Sequence, residues 1–185
     1  MKKVNAYQFN ELPEAIQEKV LNDFNVDPLY DHDPILEGMT EDLEAIGLED
    51  IDIKYSGFWS QGDGLSFTCY VNDAALFLEH IGAPKCSDSL IEVLDITFSR
   101  AGHRNVHEKS VSTSVDYAYM TNEVLTEWNE KIEDLEKHIE DWRLKKCQDM
   151  YKVLERHYDA CTTRDAIIEH MEANGYHFLE DGRQV

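Results

Sequence analysis

The chain has 185 residues, 42% of them hydrophobic and 30% charged, with 38 Asp and Glu against 17 Lys and Arg for a net charge of −21. That length and apolar content suit one domain, or one domain with an appendage, around a real core. The charge excludes a general role in gripping nucleic-acid phosphates or anionic lipid, both of which would repel it.

No apolar run reaches the roughly 18 residues that a membrane span needs, and residues 1–6 lack the apolar stretch of a signal peptide. Cys69, Cys86, Cys147 and Cys161 are widely spaced without a CxxC, which reads as four reduced thiols.

In chain order, residues 4–9 alternate weakly as a short strand. Leu12 and Pro13 open a helix with Ile16, Val20 and Phe24 on one face, Pro taking the first helical position. Residues 25–38, with two prolines and Asp31-His32-Asp33, read as a loop. Thr40 is placed as the N-cap of a short helix that buries Leu43 and Ile46 and ends at Gly47.

Residues 51–59 then alternate through Ile51, Ile53 and Tyr55, and Leu65, Phe67, Cys69 and Val71 do the same. Asp63-Gly64 between them signals a hairpin. Asn72 or Asp73 caps a helix through Leu76, Phe77 and Ile81. Residues 90–98 read as a strand, 102–105 as a turn, and 111–117 as the partner strand. Leu125, Trp128, Ile132, Leu135, Ile139 and Trp142 recur at steps of three and four, a heptad stripe on a long helix. From 122 to 159 that helix would run roughly 57 Å at 1.5 Å per residue. The register then shifts to Cys147, Met150, Tyr151, Leu154 and Tyr158. Thr163 caps a shorter helix ended by Asn174-Gly175, and residues 176–179 return as an edge strand.

The predicted class is α+β: an antiparallel sheet of about four strands with an inserted helix, acidic N-terminal helices and a long C-terminal helix. The expected division is 1–120, holding the sheet, and 121–185, packed on the same domain. The stripe serves either as a core seam or as the contact of a homodimer.

The acidity is concentrated. Residues 10–53 hold fourteen acids against Lys19 alone, a net of −13. Such a run is either solvated surface or a docking face for a basic partner. The candidate contacts are Glu37, Glu41, Asp42, Glu44, Glu49, Asp50 and Asp52, with Trp59, Gln61 and Asp63 of the hairpin adding shape. Catalytic chemistry is not legible. Ser60-Gln61-Gly62-Asp63-Gly64 lacks the GK[ST] of a P-loop, no nucleophile elbow appears, and Asp31, His32, Asp33 and Glu37 miss calcium-loop spacing. His157 with Cys161, and His103 with His107, stand four apart without further zinc ligands. The reading is therefore a non-enzyme without cofactor or metal, contacting neither nucleic acid nor membrane directly.

Three stretches resemble a known family: Tyr7 to Leu12 with Ala15 and Lys19; Tyr55 to Phe67, including Gly57-Phe58-Trp59-Ser60-Gln61-Gly62-Asp63-Gly64; and Leu154 to Tyr158 with Asn174 to Arg183. Together they are similar to small proteins of tailed bacteriophages and prophages that often carry the label "antitoxin of toxin-antitoxin stability system". The resemblance implies a phage accessory protein in the host bacterial cytoplasm and supplies no catalytic residues. It leads to an inhibitor of a host nucleic-acid-handling defence factor, of anti-CRISPR or anti-restriction type, acting through the acidic surface. The alternatives are an antitoxin that neutralises a toxin and a small-ligand binder using the hairpin loop.

Overall fold

The computed structural model describes residues 5–100, 106–117 and 122–185, the side chains of 122–130 excepted. The expected turn at 102–105, His103, Leu125 and Trp128 lie outside that description. The chain is α+β, with a four-stranded antiparallel sheet in the order β1-β2-β3-β4. It forms two compact units, one from Asp33–Val153 and the other from Met1–His32 with Leu154–Val185.

The larger unit opens with α1's successor in the chain, the helix Asp33–Glu44, here α2 (α1 is Glu14–Asp23, in the other unit). This corrects two expectations. Residues 33–38 are helical, because Pro34 sits in the first turn, where its missing N–H has no partner to lose. Thr40 lies inside the helix, not at its start, and its hydroxyl donates to the Leu36 carbonyl at 2.9 Å. Leu43 and Ile46 are buried as expected.

Gly47 turns the chain into β1, Leu48–Tyr55. Its φ of +88° favours glycine, and a Cβ there would lie 2.9 Å from the Asp73 carbonyl oxygen. β1 therefore starts and ends earlier than the alternation of residues 51–59 suggested. β2, Leu65–Val71, pairs with it across the hairpin. The helix between β2 and the next strand is α3, Ala74–His80, and the Asp73 carboxylate caps it by accepting the Leu76 N–H at 2.9 Å. A short helix α4, Asp88–Ile91, occupies the start of the expected strand, so β3 runs only from Leu94 to Arg100. β4, Val111–Tyr117, completes the sheet.

One sheet face carries Phe67, Cys69, Ile96, Phe98, Val111 and Val115, all buried. The part of α5 (Asn122–Cys161) that belongs to this unit packs on this face: Trp142 meets Phe67 and Phe98, and Glu140 accepts from Thr113. Ile132, Leu135 and Ile139 are buried, and the Trp142 ring stands edge-on to Phe77 with centroids 5.1 Å apart. Among the described residues the stripe is thus filled from within the chain. The seam continues through Arg143, Cys147 and Met150, whereas Trp142 is only half-buried.

The smaller unit joins the chain's beginning and end. Tyr7 and Phe178 exchange backbone hydrogen bonds of 2.8 and 2.9 Å, which replaces the expected strand at 176–179 with isolated bridges. Phe9, Leu12, Val20, Ile167, Met171 and Phe178 form its core. Thr163 caps α6, Arg164–Ala173, through the Ala166 N–H, as its sequence predicts.

Candidate partner-binding surface

The acids of residues 10–53 divide between the two units: those up to Asp31 belong to the smaller, those from Asp33 onward to the larger. In the smaller unit part of the charge is answered internally, since Arg164 pairs with Glu18. All seven of the candidate contact acids lie in the larger unit.

On α2 the exposed Glu37, Glu41 and Glu44 recur at steps of four and three, so they project from one stripe, opposite the buried Met39 and Leu43. At 1.5 Å per residue they cover about 10 Å of helix, roughly one charge per 5 Å. A single nucleic-acid strand carries one per about 3.4 Å. Asp42 is exposed but turned about 100° off that stripe. Among the described residues no basic side chain pairs with Glu37, Glu41, Asp42 or Glu44. Carboxylates at i,i+4 repel by a few tenths of a kcal/mol, so this stripe weakens its own helix.

β1 adds three more acids through a β-bulge. Glu49 pairs with Tyr70 and Asp52 with Thr68, so Asp50 and Ile51 together oppose Cys69. Asp50 takes φ +54°, the left-handed angle that a bulge of this kind requires and that Asp tolerates better than most residues. The extra residue resets the alternation: Glu49 and Asp52 share the solvent face, while Leu48 and Ile53 point inward. The three acids are not equivalent. Glu49 accepts from the Asn72 amide at 2.6 Å and Asp52 pairs with Lys54 at 2.8 Å.

The hairpin loop, residues 56–64, is not a two-residue turn. It is braced from several sides. The Asp63 carboxylate accepts the Ser60 N–H at 2.7 Å, and the Tyr151 hydroxyl donates to the Gly57 carbonyl at 2.9 Å. The Ser56 hydroxyl accepts the Gly64 N–H and donates to the Val106 carbonyl. Phe58 stacks between Tyr55 and Tyr151, with centroids 5.9 and 5.4 Å away. Trp59 sits at φ +66° and is 66% exposed. A bulky residue at a left-handed angle is strained by roughly 1–3 kcal/mol, and such strain is held where the surroundings impose it. Gln61 is exposed at the tip. Asp63, by contrast, serves as the loop's internal brace.

Beneath the sheet lies a polar network that the sequence reading missed. Arg143 is wholly buried. Its Nε and Nη2 donate to the two Glu140 oxygens at 2.9 and 2.6 Å, and its Nη1 donates to the Glu108 carbonyl at 2.8 Å. Thr113 donates to Glu140 at 2.5 Å. Burial pushes the Glu140 carboxyl upward, but the hydrogen bonds from Arg143 and Thr113 and the guanidinium charge outweigh it, so it ionises below the usual range. Burial raises Cys69 to about 12 and Cys147 to about 11, so both thiols stay protonated and inert.

Among the described residues no three His, Cys, Asp or Glu side chains converge as metal ligands. In the smaller unit His157 Nε2 lies 3.1 Å from the Asp31 carbonyl oxygen, with Cys161 Sγ at 3.6 Å from the same ring nitrogen. No described helix is long and apolar enough to cross a membrane.

The architecture is thus an α+β unit that displays, on α2, carboxylates with no basic partner among the described residues, and a strained aromatic loop. Residues 32–164 match the family described as Domain of unknown function (DUF8835). That is well over half of the chain, and the chain belongs to this family. No curated protein and no solved structure matches it.

Proposed function

We propose that the chain is a non-enzymatic binding protein whose carboxylates on α2 and β1 occupy a basic surface of a nucleic-acid-handling enzyme. In the phage setting that the sequence resemblance implies, this makes it an inhibitor of a host defence factor in the bacterial cytoplasm. One observation carries the reading: Glu37, Glu41 and Glu44 form an exposed stripe with no basic partner among the described residues, and their like charges weaken their own helix. A merely soluble surface would intersperse both signs. Trp59, held outward on its braced loop, supplies the large anchor that interfaces concentrate their energy on.

The test is a pull-down from bacterial lysate at low and high salt, using the wild-type chain and a variant with Glu37, Glu41, Asp42 and Glu44 changed to Lys. The wild type should retain a basic protein that added duplex DNA or RNA displaces, with retention fading as salt rises. The variant should lose it. Equal capture by the variant with the same salt dependence would remove the acidic stripe from the interface.

A further inference from the structure

The two edges of the sheet are unlike. β1 carries the Asp50 bulge and the charges of Glu49, Asp52 and Lys54 along its length, devices that keep other strands from adding to an edge. β4 has no bulge, and Asp116 is its one charged residue. It pairs with β3 through seven consecutive residues, from Leu94 opposite Tyr117 to Arg100 opposite Val111, without irregularity. Its sequence, Val-Ser-Thr-Ser-Val-Asp-Tyr, contains no Pro, Gly or Lys. Among the described residues no backbone group hydrogen-bonds to its outer side.

A cleft of about 470 Å³ lies at the start of this edge, with Val111, Ser112 and Thr113 on the strand side and Glu133, Glu136 and Glu140 on the α5 side. The helix residues fall at i, i+3 and i+7, one stripe facing the cleft. Glu140 is already engaged by Arg143. Exposed Glu133 and half-buried Glu136 have no ionic partner among the described residues. Lys109 and Lys137 also border the cleft and are exposed.

We propose that this cleft takes an extended, cationic segment of a partner protein, added to β4 as a fifth strand. The open edge supplies main-chain hydrogen bonds, and alternate side chains of the added strand point toward α5. A Lys or Arg at those positions meets the Glu133 and Glu136 carboxylates. A second copy of the chain fits less well. Two-fold pairing on β4 would bring the Glu133 and Glu136 of two α5 helices toward one another, in addition to the repulsion of two chains of net charge −21. This site is separate from the α2 stripe and stands or falls on its own.

The experiment uses the full chain and an alternating Lys-Val octapeptide, acetylated and amidated, with amide hydrogen exchange of residues 111–117 as the readout. The peptide should slow exchange on β4 at least tenfold. The Glu-Val counterpart should not, nor should a Lys-Val peptide methylated at every second backbone nitrogen. Glu133→Lys with Glu136→Lys should weaken binding at least tenfold with an unchanged circular dichroism spectrum. Unchanged exchange on β4, or equal protection by the Glu-Val peptide, overturns the proposal. Protection that grows with protein concentration in the absence of peptide assigns the edge to a second copy and overturns it as well.

Discussion

Replacing Glu140 by Ala strands the Arg143 guanidinium, a wholly buried charge that loses both oxygens of its bidentate partner. The Glu108 carbonyl and the Thr113 hydroxyl remain within reach at 2.8 and 3.3 Å, but neither carries the countercharge. Leaving a buried charge without its partner destabilises by about 3–5 kcal/mol; Glu140 is itself 34% exposed, so water enters the vacated space and holds the loss to about 3 kcal/mol. In a chain of this size that lowers the melting temperature by roughly 6–12 °C. Urea unfolding followed by circular dichroism and tryptophan fluorescence measures it, since Trp142 packs beside the network against Phe67 and Phe77. The double variant Glu140→Ala with Arg143→Met should recover most of the loss, because the unpaired charge goes with the arginine. The carboxyl ionises more readily in the folded chain, so its contribution is complete above the unfolded value of about 4.3 and fades as pH falls below it. Glu140→Gln should flatten that acid limb. A Glu140→Ala loss under about 1 kcal/mol, or a double variant no better than the single one, would show that the pair does not hold this part of the core together.

Two glycines make opposite predictions. Gly38, inside α2 with open space where a Cβ would go, should stabilise the chain by about 0.5–1 kcal/mol when changed to Ala. Gly47→Ala should destabilise by more than that, since its φ is +88° and the new carbon meets the Asp73 backbone; chemical denaturation separates the two. Native-state alkylation at pH 8 should label Cys161 and Cys86 while sparing the buried Cys69 and Cys147, and fast labelling of Cys147 would mean that the core beneath α5 opens.

The class of the fold was legible because its signals are periodic. Alternation found β2 and β4, the step of three and four found α5, and Asp73 and Thr163 cap the helices their sequences predict. What was hidden is non-periodic or non-local. Pro34 and Gly38 disguised α2 as a loop, although a proline in the first turn is a helix signal. The bulge at Asp50 moved the start of β1, because nothing in alternation marks an extra residue. Arg143 carried a readable signal that apolar counting discards. Ile139, Arg143, Cys147 and Met150 step by four, four and three, so the arginine occupies a core seat of the stripe. The acidic stretch was visible as composition, but its division between two units depends on contacts far apart in sequence.

The bulge at Asp50 links the protein's stability to its display of charge. A regular strand would put Glu49, Ile51 and Ile53 on one face, which would bury a carboxylate or expose two isoleucines. With Asp50 at φ +54° the strand gains one residue against β2, and Glu49 and Asp52 both turn to solvent while Leu48 stays in the core. The same residue interrupts the ladder at the edge, so β1 repels an added strand. β4 lacks this device. An exposed sheet edge invites strand addition unless something guards it, and like charge opposes pairing with a further copy of the same chain. On the strand-addition proposal the net charge of −21 has two roles that no single residue reveals: it attracts a cationic segment, and it turns away further copies of the chain from β4.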